Sequence, residues 1–205
     1  MIVNRSFDEV FRSWSNVAVL RALQDTASGF SGREVARVAG MSIRSALQAL
    51  TSLENLGIVR RQRGGRDHIF TLNRNHYLVE QGIIPVFAIE HKFLEEVKSV
   101  IANAVKRQAL SVILFGSVAR GEEIPQSDLD ICCIVKNKLQ QGKLQSILDG
   151  MSPTLHNRFG VKIGPIFFTL DEFKKKASKR NPLIKQILDH GKVITGKNPK
   201  VLLNV

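Results

Sequence analysis

Two apolar runs separated by a short polar segment constrain this chain more than any other feature. The first run ends at Gly116 and Ser117, and the second, residues 129–135, begins beside Asp128 and Asp130. Successive strand side chains point to opposite faces, so the two aspartates lie on one face, roughly 7 Å apart. Carboxylates this close repel each other unless a proton or a divalent cation intervenes. The pattern predicts a strand, a phosphate-binding turn and a second strand headed by a metal site.

The order of these residues resembles a known family. Gly116 allows a phosphate to approach the backbone, and Ser117 adds a hydroxyl and an N–H donor. A phosphate cradle beside a carboxylate pair suits metal-dependent nucleotidyl transfer. With Arg120 between them, the Gly-Ser and Asp-x-Asp elements resemble the nucleotidyltransferase fold of the DNA polymerase beta superfamily. The resemblance covers about residues 90–197 and is closest to the small prokaryotic minimal nucleotidyltransferases.

The resemblance implies a role for each of these residues. Asp128 and Asp130 would be the catalytic ligands of Mg²⁺ or Mn²⁺, and Gly116 and Ser117 would bind the triphosphate of an NTP. Arg120 would either pair with the carboxylates or touch phosphate. The implied reaction moves a nucleoside monophosphate from the NTP to a hydroxyl acceptor, with pyrophosphate leaving.

The family's third carboxylate has no counterpart in the expected place. It lies on the strand after the long helix, where the candidate positions here are Lys162 and Gly164. A lysine there would repel a cation. Asp171 and Glu172 follow, but at a predicted helix start they fit better as cap residues. We therefore expect nucleotide binding, while enzymatic turnover is an open question.

Charge and composition predict two domains and a polyanionic partner. The chain has 205 residues and a net charge of +12, which favours nucleic acid first and nucleotides second. Up to residue 80 all eleven basic residues are arginine, and after it fifteen are lysine and four are arginine. Glycine and proline at residues 81–85 are expected to interrupt the helical pattern. We predict domains over residues 1–80 and 85–205.

The first domain is predicted to be a winged helix-turn-helix. Two helices that meet at Gly40 and a hairpin around Gly64 and Gly65 resemble prokaryotic winged-helix regulators over residues 14–80. The apolar stripe of the second helix is expected at Ile43, Ala46, Leu47, Leu50, Leu53 and Leu56. In such folds this helix enters the major groove, and wing arginines suit phosphate or minor-groove contact. The predicted DNA-binding residues are Ser42, Arg44, Ser45, Gln48, Arg60, Arg61, Arg63 and Arg66. A module for protein contact or dimerisation is the alternative.

The whole chain is predicted to be an α+β protein, with the winged domain followed by a nucleotidyltransferase-fold domain that has a small mixed sheet. In the second domain we expect a helix over residues 86–107, strands over 111–115, 129–135 and 161–169, and a last helix over 181–191. Cys132 and Cys133 are expected to be small core residues. No membrane span or signal-peptide core is present, so a cytoplasmic location without membrane partners is expected.

Three hypotheses for function follow from these observations. The first is a nucleotidyltransferase tethered to double-stranded DNA. The second is a transcriptional regulator whose degenerate transferase domain senses nucleotide, which Lys162 and Gly164 favour. The third is the transferase half of a toxin–antitoxin pair. The sequence leaves two protein partners open, a second copy of the chain in a homodimer or a small helical protein. The sequence does not identify the acceptor, the NTP or the DNA operator.

Overall fold

The structure is a computed structural model that describes residues 3–65 and 67–204. The chain divides into two compact units, the first ending at Lys92 and the second beginning at Phe93. Arg66, one of the predicted DNA-binding residues, lies outside the described residues.

The first unit combines helices with a three-stranded antiparallel sheet of order β1-β3-β2. The hairpin β2–β3 pairs Val59 with Leu72 and Gly64 with Asp67, as the glycines at its tip predict. The elements are α1 (Ser6–Val10), α2 (Trp14–Gln24), β1 (Phe30–Ser31), α3 (Gly32–Val38), α4 (Ile43–Asn55), β2 (Val59–Gly64) and β3 (Asp67–Leu72).

Local capping sets the starts of α3 and α4. Ser31 and Glu34 form a capping box, in which each side chain accepts the backbone N–H of the other residue. Ser42 caps α4 by accepting the Ser45 N–H at 3.1 Å. Gly40, with a φ of 64°, provides the left-handed turn between the two helices.

The core of the first unit corrects the apolar stripe expected for α4. Ala46, Leu50 and Leu53 are buried in the core. By contrast, Ile43 is 50% exposed and Leu47 is 44% exposed. Helical spacing identifies the apolar rows, but the packing of α2, α3 and the sheet decides which row is covered.

The interruption expected at residues 81–85 does not occur. A π-helix, Val79–Ile83, leads directly into the long helix α5 (Ile84–Val105). Pro85 is the second residue of α5 and has no backbone N–H to donate to the preceding π-helix, but the helical backbone continues through it. Phe87 of α5 is buried in the core of the first unit, whereas Val97 and Ile101 are buried in a core of the second unit.

The second unit contains the predicted small mixed sheet. The strand order is β6-β5-β4-β7, in which β5 and β6 are parallel and the other pairs are antiparallel. Its elements after α5 are β4 (Ser111–Leu114), α6 (Gly116–Arg120), β5 (Leu129–Val135), α7 (Lys138–Phe159), β6 (Ile163–Thr169), α8 (Leu170–Ser178), α9 (Pro182–His190), β7 (Lys192–Gly196) and α10 (Pro199–Leu203).

Strand β5 lies inside the sheet and contributes to an apolar layer on each face. Ile131 and Cys133 belong to one buried cluster, and Cys132 and Ile134 belong to the other. This alternation explains why an uninterrupted apolar run forms the strand. Both cysteines are buried and free, as expected from their place in this run.

The C-terminal region extends further than the sequence analysis predicted, because β7 and α10 follow the helix expected to be last. Strand β7 pairs with β4 at one edge of the sheet and has five residues. Its hydrophobic pattern, Lys192-Val-Ile-Thr-Gly196, is too short to stand out from a loop.

Of the two residues expected to cap the start of α8, Glu172 takes part in the cap, whereas Asp171 does not. Thr169 and Glu172 form a second capping box, and Glu172 accepts a salt bridge from Lys138 at 2.8 Å. Within residues 3–65 and 67–204, no helix combines the length and the apolar character needed to cross a membrane.

Candidate functional site

The two predicted metal ligands flank the first residue of β5. Asp128 immediately precedes the strand and is exposed, while Asp130 is its second residue and is half-buried. The parallel neighbour β6 fixes this end of the strand, because the Leu129 N–H donates to the Lys162 carbonyl at 2.8 Å. The two carboxylates therefore flank the buried Leu129 at the start of a central strand.

Gly116 lies against Asp130. The Phe115 N–H donates to the Asp130 carbonyl at 3.0 Å, which places the end of β4 beside the start of β5. A Cβ on Gly116 would collide with Asp130 Oδ2 and would lie 3.0 Å from its Cγ. Gly116 also has a φ of 77°, which L side chains rarely adopt. Glycine is thus required at this position because any side chain would displace the Asp130 carboxylate. The sequence analysis explained Gly116 only by the approach of a phosphate to the backbone.

The segment after Gly116 turns back quickly to the second strand. Ser117 is the second residue of α6, and Gly121, with a φ of 72°, ends that helix. Ser127 then fixes the loop before β5, since its Oγ accepts the Ile124 N–H at 3.0 Å. These turns bring Gly116, Ser117 and the aspartates to one end of the sheet.

Arg120 has a different carboxylate partner from those considered at the sequence level. Its Nε donates to Glu122 Oε2 at 2.7 Å, so it pairs with neither aspartate. Two residues of sequence separation and the tight turn at Gly121 make Glu122 the nearer acceptor. This pair is exposed enough for a bound phosphate to compete with Glu122 for the guanidinium.

The electrostatics of the site favour a positive ligand. Burial, followed by the negative charge of Asp128, raises the pKa of Asp130 above its ordinary value. Both causes disfavour the ionised form, and a bound cation would oppose both.

Both positions considered for a third carboxylate lie at the site. Gly164 pairs in register with Asp130, and a Cβ on it would lie 3.2 Å from Asp130 Oδ1 and 3.8 Å from Asp128 Cβ. Lys162 is exposed and lines a cleft of about 450 Å³ together with Asp128. Neither position supplies an acid, and across residues 3–65 and 67–204 no cluster of three His, Cys, Asp or Glu side chains could hold a metal.

The same cleft contains two residues that the sequence analysis missed. Ser152 and His156 of α7 line it together with Ile163, the first residue of β6. Their spacing of four residues places them on one face of the helix. That spacing was available in the sequence, but nothing in it indicated which face of α7 meets the aspartates.

The donor set fits one divalent cation. Carboxylate oxygens are the ligands that Mg²⁺ prefers, and the ion usually keeps several waters or binds substrate phosphates as well. Asp128 and Asp130 could share one such ion with a triphosphate. A second ion at this position would meet the backbone of Gly164 and the charge of Lys162 instead of a carboxylate.

The predicted DNA-binding residues of α4 divide into two groups. Arg44 and Gln48 are exposed, as expected. Ser42 and Ser45 are engaged in the helix cap, with their hydroxyl oxygens 2.8 Å apart. Any contact that the two serines make with a ligand would therefore compete with the cap.

The described arginines of the β2–β3 hairpin, Arg60, Arg61 and Arg63, do not form one cluster. Alternation along β2 places Arg61 and Arg63 on one face and Arg60 on the other. Arg61 Nε pairs with Glu54 Oε1 of α4 at 3.1 Å. Arg60 and Arg63 are exposed.

Most of the second unit is similar to one family of known proteins. Residues 93–194 match the family described as "Nucleotidyltransferase domain". Enzymes of this family generally use divalent metal ions.

Part of the chain is also similar to one curated protein. The chain is 36% identical over 87 residues to MJ1305 of Methanocaldococcus jannaschii, whose name assigns it an inferred protein adenylyltransferase activity. The match covers 42% of this chain and 57% of MJ1305, so the chain spans little more than half of that relative.

Two crystal structures are similar over a comparable part of the chain. A mutant of the toxin-antitoxin MntA-HpeT is 14% identical, covers 52% of this chain and 81% of its own, and has a TM-score of 0.35. A toxin-antitoxin with AMP-PNP is 16% identical, covers 54% and 81%, and has a TM-score of 0.36.

Proposed function

We propose that the chain is a metal-dependent nucleotidyltransferase attached to a DNA-binding unit. The observation that carries the catalytic half is the packing of the Asp130 carboxylate against Gly116, with Asp128 beside it. This contact brings the carboxylate pair and the glycine turn to one place within a nucleotidyltransferase domain. A site for one cation and a triphosphate requires these two features together.

The residues have distinct tasks in this proposal. Asp128 and Asp130 hold one Mg²⁺ or Mn²⁺, which would neutralise phosphate charge. Gly116 and Ser117 hold the triphosphate through backbone and hydroxyl donors, and Arg120 exchanges Glu122 for a phosphate oxygen. An acceptor hydroxyl attacks the α-phosphorus and releases its proton to solvent, the bond from the α-phosphorus to the oxygen bridging to the β-phosphate breaks, and pyrophosphate leaves. Adenylylation of a protein hydroxyl is the first variant to test, because the relative MJ1305 is named for that activity.

Labelled nucleotides test the transferase. The intact chain is incubated with each α-labelled NTP and Mg²⁺ or Mn²⁺, and label is followed into protein and nucleic acid. We expect transfer that disappears in the double variant Asp128→Asn with Asp130→Asn. Asp149→Asn, which changes an exposed acid of α7, is the matched control and should transfer normally. Equal transfer by the double variant would contradict the assignment of these aspartates.

A nucleotide sensor is the second candidate, and the backbone of Gly164 beside both aspartates favours it. In that case the chain binds NTP in the presence of Mn²⁺ but leaves no label on any acceptor. The variant Gly164→Asp then adds a third carboxylate, which should raise transfer. It should also enlarge the increase in melting temperature that Mn²⁺ produces, whereas the matched variant Gly164→Asn should not. Rapid transfer by the unchanged chain would rule out the sensor.

The N-terminal unit is proposed to bind double-stranded DNA as a winged helix-turn-helix. Helices α3 and α4 meet at Gly40, and Arg44 and Gln48 are exposed on α4. The hairpin β2–β3 supplies Arg60 and Arg63 as further exposed cations. In this geometry the second helix reads base edges while wing residues contact phosphate.

Duplex binding by the intact chain tests this part of the proposal. We expect Arg44→Ala to change the preferred sequence, since arginine reads guanine edges. Loss of Arg60 and Arg63 should instead weaken binding to all sequences. If the chain binds no duplex at low salt, the unit is a protein-contact module and the DNA proposal is wrong.

A further inference from the structure

The exposed face of α4 carries two large apolar side chains among polar ones. Ile43 is 50% exposed and Leu47 is 44% exposed. Residues four apart stack on a helix, so Ile43, Leu47 and Thr51 form one row and Arg44 and Gln48 form the next. All five line a single groove of about 590 Å³ on the surface of the helix.

The fold offers no buried place for this apolar row. Ala46, Ala49, Leu50 and Leu53 already occupy the side of α4 that faces the core. Leu47 lies over Gly32, where a Cβ would be 2.7 Å from Leu47 Cδ2, so even a methyl group beneath it would push it outward. The row is therefore available to a ligand of the N-terminal unit.

The charge around the row selects the kind of ligand. Arg33 and Arg61 outnumber the one acid, Asp67, in an adjoining cavity that Ile43 and Leu47 also line. Arg44 lies in the next helical row. A second copy of this chain would bring the same arginines against these arginines. A polyanion with small apolar groups on its surface matches both the charge and the apolar row.

We infer that Ile43 and Leu47 contact thymine methyl groups in the major groove of DNA, beside bases that Arg44 and Gln48 hydrogen-bond. The thymine C5-methyl is the apolar group that the four base pairs present in that groove. Gln48 is suited to adenine, whose partner thymine carries its methyl in the same groove. This inference rests on the proposed DNA binding and adds a sequence preference that hydrogen bonds alone do not give.

The experiment removes the methyl group and keeps the hydrogen-bonding edge. A random 30-base-pair duplex pool is selected on the intact chain, and the enriched duplex is remade with deoxyuridine in place of each thymine in turn. We expect the loss of each contacted methyl to weaken binding about fourfold, the value for one buried methyl-sized group. No substitution in the protein is needed for this comparison.

A double-mutant cycle assigns the methyl to the two side chains. In Ile43→Ala with Leu47→Ala the difference between thymine and deoxyuridine duplexes should disappear. Val38→Ala is the control, since Val38 is equally exposed at 47% but lies on α3 and does not line either groove. This control should retain the full difference.

The possible results distinguish failure of the thymine methyl contact from failure of the proposed DNA binding. Selected duplexes that bind equally with thymine and deoxyuridine would overturn the methyl contact and leave DNA binding intact. A thymine preference that survives in the double variant would assign the methyl to other residues and overturn the inference. If no duplex binds, both fail, and the apolar row would then belong to an acidic protein partner.

Discussion

Gly116 shows how a single residue can serve backbone geometry and the candidate site together. Its positive φ closes the turn after β4, and its missing side chain leaves room for the Asp130 carboxylate. Gly160 provides a natural comparison in the same unit. It has a φ of 67° at the end of α7, but no heavy atom lies within 4 Å of its Cβ position.

We predict different consequences for Gly116→Ala and Gly160→Ala. Both should lower the free energy of unfolding by about 1–2 kcal/mol through the left-handed backbone, as measured by urea denaturation. Only Gly116→Ala should displace Asp130 and weaken Mn²⁺ binding, by roughly 10- to 100-fold in a calorimetric titration. Equal Mn²⁺ affinity in the two variants would show that Asp130 is not a ligand.

The spacing of Asp128 and Asp130 was sufficient to predict their shared face, and strand alternation correctly directed attention to Gly164. The pairing of Arg120 with Glu122 could not be predicted from residue spacing, because it depends on the conformation of the turn that follows α6. Ser152 and His156 were missed for a similar reason. Helical spacing groups them, but only the packing of α7 places them at the cleft.

Among the elements, α5 is attached to the first unit by both apolar and ionic contacts. Phe87 is 2% exposed, and the Arg21 guanidinium lies 5.5 Å from the centre of its ring. The same guanidinium donates to both carboxylate oxygens of Glu90, at 2.7 and 2.8 Å. A paired geometry of this kind is the most favourable that an exposed salt bridge can adopt.

This contact predicts a pH-dependent stability. Hydrogen bonds from Arg21 hold the pKa of Glu90 below its usual value of 4.5, although partial burial opposes them. A lowered folded pKa stabilises the fold above pH 4.5, and this contribution is lost as the pH falls through the folded pKa. Glu90→Gln should therefore cost about 0.2–1 kcal/mol at pH 7.

The measurement is urea denaturation of wild type and variant between pH 7 and pH 3. The difference in unfolding free energy should shrink as the pH falls below 4.5, the usual value for this carboxyl group. Glu80→Gln, at another exposed acid of the first unit, should show no such difference. A Glu90 difference that stays constant with pH would mean that the ion pair contributes nothing.

The strongly patterned elements were the ones that sequence predicted well. Strand β5 is a continuous apolar run, and α3 and α4 begin directly after the capping residues Ser31 and Ser42. Strand β7 was missed because a five-residue edge strand has few apolar positions. The exposure of Ile43 and Leu47 was missed because periodicity does not reveal which face neighbouring elements leave open.

At the scale of the whole molecule, positive charge is not confined to the proposed DNA-binding unit. The first unit has twelve basic and eight acidic residues, and the second has eighteen and ten. The second unit therefore carries the larger share of the net charge of +12. A polyanion could contact lysines of the second unit as well as arginines of the β2–β3 hairpin.

The salt dependence of duplex binding measures how many phosphate contacts each unit makes. Each phosphate neutralised contributes about 0.9 to the slope of log K against log salt. Replacing Arg60, Arg61 and Arg63 together by alanine should reduce that slope by up to about three units in duplex titrations at several salt concentrations. The matched triple change of Lys174, Lys175 and Lys176 should leave the slope unchanged. An equal reduction in both variants would extend the DNA contact to the lysine face of α8.

The two adjacent cysteines inside β5 allow the opening of the second unit's sheet to be measured by the rate of thiol alkylation. Burial raises the pKa of Cys132, and it raises the pKa of Cys133 to about 12. Because only a thiolate reacts with an alkylating reagent, labelling has to wait for the sheet to open. The chain has no other cysteine, so every labelling event reports on this strand. Asp130 lies on the same strand, and a nucleotide and a metal bound there would slow the alkylation without either thiol touching them.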